Sequence, residues 1–228
     1  MAGRKPAATS SDARDPRLIT AELDRLASHP IIVRLMRALA ENPTRVIEAE
    51  EPVRRAAVLL VLRAQSDGEP EVLLIKRADA EGDPWSGHIA LPGGRMEPTD
   101  GDLAVTAVRE TWEETGIDVA RDGRLLGQLD DLRPRSPLLP PIMIRPYVAI
   151  VRAGVEIVPS LEVASAFWVP LSALRQEAAW GMGLVEAHGK PLSASVFRHG
   201  EHTVWGLTER VLRQFLSYSV GQSDSRTV

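Results

Sequence analysis

Apolar and polar positions alternate along this chain in stretches that match strands and helices in turn. AAVLLVLRA (56–64) is an aliphatic run of strand length, as expected for a buried strand. SDGEP follows with Asp67-Gly68 as a hairpin signal, and EVLLIKR (71–77) returns as a second strand. GDPWSG (82–87) reads as a loop, and HIALPGG carries a short strand into paired glycines. Residues 101–115 have helical spacing, and Gly116 is placed to cap the C-terminus. GRLLGQL (123–129) and IMIRPYVAIVR (142–152) are further strands on either side of RPRSPLLPP. AFWVPLSAL (166–174) passes from strand to helix, and MGLVEAH with PLSASVF forms a hairpin around Gly189. TVWGLTERVLRQFLSYS closes with an amphipathic helix carrying Leu207, Val211, Leu212 and Phe215 on its apolar side.

Ahead of these elements, Asp15-Pro16 has the form of an N-cap with proline at the first helical position. Leu18, Ile19, Leu23 and Leu26 follow at helical spacing; Pro30 interrupts, and Ile31 to Ala40 make a second helix. This pair is expected to pack on the main domain or across a homodimer. The polar ends are expected to be disordered. The division is therefore a tail over 1–14, a helical extension over 15–50, a main domain over 51–220 and a tail over 221–228. Mixed strands and helices predict a layered α/β domain with a mixed sheet. Repeated βαβ units, the mark of a Rossmann fold, are absent.

Composition narrows the function. In 228 residues, 44% are apolar, enough for one sizeable core. The net charge of −4 offers no basic footprint for nucleic acid. No apolar run approaches the ~20 residues that cross a bilayer. MAGRKPAATSSDARD lacks the apolar centre of a secretory signal, so a cytoplasmic location is expected. The absence of cysteine excludes disulfides, thiolate metal sites and a cysteine nucleophile.

The candidate chemistry lies in LPGGRMEPTDGDLAVTAVRETWEETGI (91–117). On a wheel of ~100° per residue, Ala104, Ala107, Val108, Thr111 and Trp112 form an arc expected to face the core. Glu110, Glu113 and Glu114 gather on the other side with Arg109 on their flank. Like charges at these spacings weaken a helix, and acids near its C-terminus oppose the macrodipole. A solvated acidic face and a platform for a hard divalent cation are the two readings of such a cluster. Gly93 and Gly94 just upstream permit a close ligand approach, which favours the platform.

RETWEETGI (109–117) resembles the end of the Nudix box, with Arg109, Glu110, Glu113, Glu114, Gly116 and Ile117 all matching. Thr111 replaces an apolar residue. Asp100 stands where the box has Glu, and eight residues rather than seven separate it from Arg109. The resemblance implies an α/β/α sandwich that hydrolyses a nucleoside diphosphate linked to another group, using Mg²⁺ or Mn²⁺. It implies Glu110, Glu113 and Glu114 as metal ligands, with Glu113 alternatively orienting the attacking water. It also implies that Arg109 pairs with an acid and holds it, and that Asp100 does part of the work of the missing Glu.

LLIKRADAEGDPWSGHIALPGG (73–94) is further similar to the upstream motif of coenzyme A pyrophosphatases, through Leu73, Leu74, Arg77, Ala78, Gly87, Pro92, Gly93 and Gly94. Ile75, Leu91 and Asp83 depart from it, Asp83 standing where that branch has Arg. HTVWGLTERVLRQF resembles the closing Trp-Gly-apolar-Thr helix of the same enzymes. Glu162 matches an acid common ahead of the Trp-apolar-Pro strand and is a candidate distal base or ligand. Arg77, Arg95 and Arg145, with Gly93, are candidates for holding phosphates. Trp85 and Tyr147 are candidates for stacking a base, and His88 is read as structural. The expected substrate is coenzyme A or a derivative. The alternatives are ADP-ribose, NADH or a dinucleotide, or a nucleotide-sensing module without turnover.

Overall fold

Aliphatic residues on both faces allow β1 (Arg54–Ala64) to run through the middle of the sheet, where Leu59, Leu60, Val61 and Leu62 are fully buried. The computed structural model describes residues 15–41, 44–47, 53–64, 68–80, 85–134, 141–187 and 189–220. The two expected tails, Asp67, Asp83 and most of RPRSPLLPP lie outside the described residues.

β1 pairs antiparallel with β2 (Pro70–Arg77) and with the short β4 (Gly93–Arg95). On its other edge it runs parallel to β6 (Ile142–Val151), which pairs with β5 (Gly123–Gln128). β3 (Ile89–Ala90) and β7 (Val163–Pro170) both pair with β2. The result is a mixed seven-stranded sheet, as the sequence predicts.

Alternation along each strand sends odd and even residues to different layers. Ala57, Leu59, Val61, Leu73, Tyr147 and Ala149 face α3 (Leu103–Thr115). Leu60, Leu62, Leu74, Val148 and Ile150 face α1 (Pro16–Ala27), α2 (Pro30–Glu41) and α6 (Gly206–Val220). This is the expected α/β/α sandwich. α4 (Val119–Asp122) and α5 (Leu171–Leu174) are single turns.

The N-terminal helices adopt the first of the two expected arrangements. Leu23, Leu26, Ile32 and Leu35 are buried in the same core as Val211, Leu212 and Phe215 of α6. Leu18, Val33 and Met36 on the outer side of the same helices stay exposed. The segment beyond α2 is also strapped down: Asp130 Oδ1 accepts from Arg45 N at 2.8 Å and Asp131 Oδ2 from Ile47 N at 2.8 Å.

A second sheet is an antiparallel meander of β8 (Trp180–Ala187), β9 (Lys190–His199) and β10 (His202–Trp205). The Thr-Val-Trp that reads as the start of the closing helix belongs to β10 instead. Gly206, with φ of 68°, turns the chain into α6.

Candidate active site

α3 is set at both ends by its own sequence. The Asp102 carboxylate accepts from Val105 N at 2.9 Å as N-cap. Gly116 closes the helix in the left-handed region, with φ of 73°, and donates to the Trp112 carbonyl. The inward stripe is Leu103, Thr106, Ala107, Thr111, Glu114 and Thr115. Thr111 and Thr115 satisfy their hydroxyls on the Ala107 and Thr111 carbonyls one turn back.

Glu114 therefore departs from the expected arrangement, in which all three acids lie opposite the buried arc. It belongs to the buried stripe, Glu110 is half-buried, and Glu113 alone is exposed. Trp112, expected on the buried arc, is only half-buried. The physical reason is that the C-terminal half of α3 meets the backbone of β4. Gly93 N–H donates to Glu114 Oε2 at 2.9 Å, so a carboxylate satisfies this position better than an apolar side chain.

The paired glycines are explained by the space they leave. A Cβ on Gly93 would stand 2.3 Å from the Ala57 carbonyl oxygen, and φ there is 152°. A Cβ on Gly94 would stand 2.4 Å from the Glu110 carboxylate. Gly93 thus brings β4 against β1, and Gly94 opens the slot that Glu110 occupies.

Arg109 organises the acids. It holds Asp100 bidentately, Nε to Oδ1 and Nη2 to Oδ2 both at 2.9 Å. Its Nη1 lies 3.0 Å from Glu110 Oε1 and 2.9 Å from Glu113 Oε2, and Nη2 donates to the Arg95 carbonyl at 3.1 Å. Buried Asp100 is itself fixed by Glu97 N and Thr106 Oγ1, both at 2.9 Å. Hydrogen bonding from Arg109 holds the Asp100 carboxyl well below the usual carboxylate range against the cost of burial. The pairing inferred for Arg109 is present, and Asp100 is the acid that anchors it.

The electrostatics favour a cation. Burial pushes Glu114 up to about 7, opposed by the Gly93 bond and reinforced by the charges of Glu110 and Glu162. Burial also raises Glu110, with Arg109 opposing and Glu113 and Glu162 adding to it. The cation nearest Glu114 is Arg77, with Nη1 3.9 Å from Oε1. Among the described residues, no three acids stand close enough to form a closed metal cage. Glu110 and Glu114, beside the glycine strand, fit a hard cation that takes one or two protein carboxylates and fills its shell with water and phosphate oxygens.

The other expected site residues are distributed around this centre. Glu162 is exposed on the approach to β7, its carbonyl accepting from Ala78 N at 2.8 Å. Arg95 is exposed at the end of β4. Arg145 shares the row Gly94–Ala57–Arg145 across the sheet. Its guanidinium is clamped by Asp131, at 2.7 Å to Oδ1 and 2.9 Å to Oδ2. Tyr147 packs in the core beneath α3, which removes it as a stacking surface. Asp131 is absent from the sequence reading because a proline-rich loop separates it from Arg145, and no local spacing marks the pair.

The NUDIX domain family matches residues 53–187. Peroxisomal coenzyme A diphosphatase ndx-8 of Caenorhabditis elegans is 34% identical over 125 residues, covering 54% of this chain and 50% of that protein. The chain thus spans half the length of that relative. Mitochondrial coenzyme A diphosphatase NUDT8 of Mus musculus is 31% identical over 158 residues, 67% of this chain and 72% of that protein. The crystal structure of a MutT/nudix family protein from Enterococcus faecalis shares the fold, with a TM-score of 0.52 at 17% identity over 92% of this chain and 76% of that one. The matched family segment runs from β1 through β8 and contains the glycine strand, Asp100 and the whole of α3, and on that ground the chain belongs to the Nudix family.

Proposed function

We propose that the protein hydrolyses the diphosphate of coenzyme A or a derivative, using Mg²⁺ or Mn²⁺. The observation that carries this reading is the placement of Glu110 and Glu114. Two carboxylates are drawn together beside the glycine strand; burial raises both, and the charge of Glu110 raises Glu114 further. Such an arrangement disfavours the empty state and favours a divalent cation with a diphosphate on it. A metal bound there would neutralise the diphosphate and lower the pKa of the attacking water.

The chain's own groups divide the remaining work. Glu110 and Glu114 offer oxygens to the cation. Glu113, exposed and tied to Arg109, would orient the attacking water. Arg109 fixes the acids from behind, and Asp100 fixes Arg109. Arg77 lies beside Glu114, where a phosphate oxygen would meet it. Glu162, whose charge acts on Glu110 and Glu114, would serve as a distal acid, and Arg95, exposed at the end of β4, as a second cation for the substrate. The two diphosphatase relatives support coenzyme A as the substrate class.

The test is turnover of a panel of coenzyme A, acetyl-coenzyme A, ADP-ribose, NADH and a diadenosine polyphosphate with Mg²⁺ or Mn²⁺, with products identified by mass. Cleavage of coenzyme A to 4′-phosphopantetheine and adenosine 3′,5′-bisphosphate is expected. Cleavage of ADP-ribose or NADH with coenzyme A ignored would overturn the substrate class. Tight binding without turnover of any member would make the protein a nucleotide-sensing module.

A further inference from the structure

The small meander carries one built feature that the catalytic centre does not use. Opposed residues of an antiparallel pair share a face. Trp205 pairs with Val196, and Val196 with Gly181, so these three form one row across the meander. Arg198 pairs with Thr203 in the next row and lies on the same face as Trp205. The opposite face sends Phe197 and Val204 into the core against α6.

The Arg198 side chain runs back over the two glycines of β8. A Cβ on Gly183 would stand 2.6 Å from Arg198 Nη2, and one on Gly181 would stand 4.0 Å from Nη1. Neither glycine has a positive φ. At Gly183 the small residue leaves room for the guanidinium and for the Val196 methyls, at 3.1 and 3.2 Å from such a Cβ, rather than serving backbone conformation. Nη2 donates to the Met182 carbonyl at 3.2 Å, and the side chain is otherwise exposed. An exposed guanidinium thus lies over β8 and an indole on β10, on one face of the meander and two strand spacings or about 10 Å apart across it.

The indole end reaches the catalytic face. The Trp205 ring packs on His88 with centroids 4.7 Å apart. Arg77 N donates to the His88 carbonyl at 3.0 Å, continuing the register of Ile75 with Ala90 and Lys76 with Ile89. Arg77 and His88 therefore leave the same face of the large sheet, and Arg77 reaches Glu114. Trp85, 39% exposed, lies across the Gly87 turn from His88 and adds a second indole at this edge.

We propose that Trp205 stacks the base of the nucleotide half of the substrate and that Arg198, seated on Gly181 and Gly183, binds a phosphate carried on its ribose. This rests on the proposed hydrolysis of coenzyme A and assigns the specificity for its ribose phosphate. An aromatic face is tolerant of any base, whereas a guanidinium fork selects phosphate. Together they distinguish a nucleotide bearing the extra phosphate from one without it.

The test uses the full chain and two probes with no diphosphate bond to cleave, adenosine 3′,5′-bisphosphate and AMP, measured by calorimetry. The wild type is expected to prefer the bisphosphate by roughly tenfold or more, the scale of a hydrogen bond to a charged group. Arg198→Ala and Gly183→Ala should both erase that preference while leaving AMP affinity in place. Trp205→Leu should weaken both probes, and Trp205→Phe should restore them, which separates stacking from a folding defect. If Arg198 only pins the hairpin, Arg198→Ala will lower the melting temperature without changing the ratio of the two affinities, and the inference fails. Turnover of coenzyme A with an unaltered preference in Arg198→Ala overturns this inference alone. Arg198-dependent bisphosphate binding in a chain that cleaves no panel member overturns the proposed hydrolysis alone.

Discussion

At Gly94 the absence of one carbon decides where a carboxylate stands. A methyl group there would meet the Glu110 carboxylate at 2.4 Å. Because the clash is with the far end of a side chain, Gly94→Ala is expected to fold and to lose turnover as Glu110 is pushed out of its slot. Circular dichroism and initial rates on the same sample check this; unchanged rates would show that Glu110 is not needed where it is. Asp100 gives a second prediction. Asp100→Asn leaves Arg109 without its buried counter-charge and should cost about 3 kcal/mol of stability at neutral pH. Asp100 is held below its ordinary value of 3.8 in the folded protein. Its stabilisation is therefore complete above that value and is lost as pH falls through the lower folded value. Urea unfolding of both proteins should show the gap closing in acid. The resemblance implied that Arg109 pairs with an acid but did not say which one. The answer depends on the loop from Arg95 to Asp102 folding back over α3, which no periodicity encodes.

The candidate helix α3 was legible in the sequence with its C-terminal limit, which Gly116 signals by local chemistry, while its start, expected at 101, falls at Leu103 because Asp102 serves as the N-cap. Its orientation was only half legible. A helical wheel sorts residues by polarity and so places Glu114 with the solvent-facing acids. Glu114 is instead buried, because a backbone N–H 21 positions upstream waits for it. The N-terminal helices show the same limit. Their apolar stripes were evident, while the surface that covers them, α6 and the far face of the sheet, is remote in sequence. Leu35 is fully buried there. Leu35→Ala is expected to cost about 2–5 kcal/mol in urea unfolding while leaving turnover of the folded protein intact. A loss of only a few tenths of a kcal/mol would show that α2 is not part of the core.

For the whole molecule, the proposed metal site would link metal binding and pH through Glu114. Its folded value of about 7 lies above the ordinary 4.5, so the charged form is disfavoured in the metal-free fold. The contribution of this group is present below 4.5 and is lost as pH rises through 7. Metal ligands must be deprotonated, so a divalent cation recovers the lost stability and displaces a proton. The rise in melting temperature on adding Mg²⁺ should therefore be larger at pH 8 than at pH 6. Among the described residues no helix is long and apolar enough to cross a membrane. The most direct test of the central claim, that the buried end of α3 holds the metal for diphosphate hydrolysis, is the Mg²⁺-dependent initial rate of coenzyme A cleavage by Glu114→Gln beside the wild type. The amide keeps an acceptor for Gly93 N–H and removes the charge. The account predicts a fold and melting temperature close to wild type with a rate lower by roughly 100-fold or more, the loss of several kcal/mol of charge stabilisation. A folded Glu114→Gln protein that turns over at the wild-type rate would contradict it.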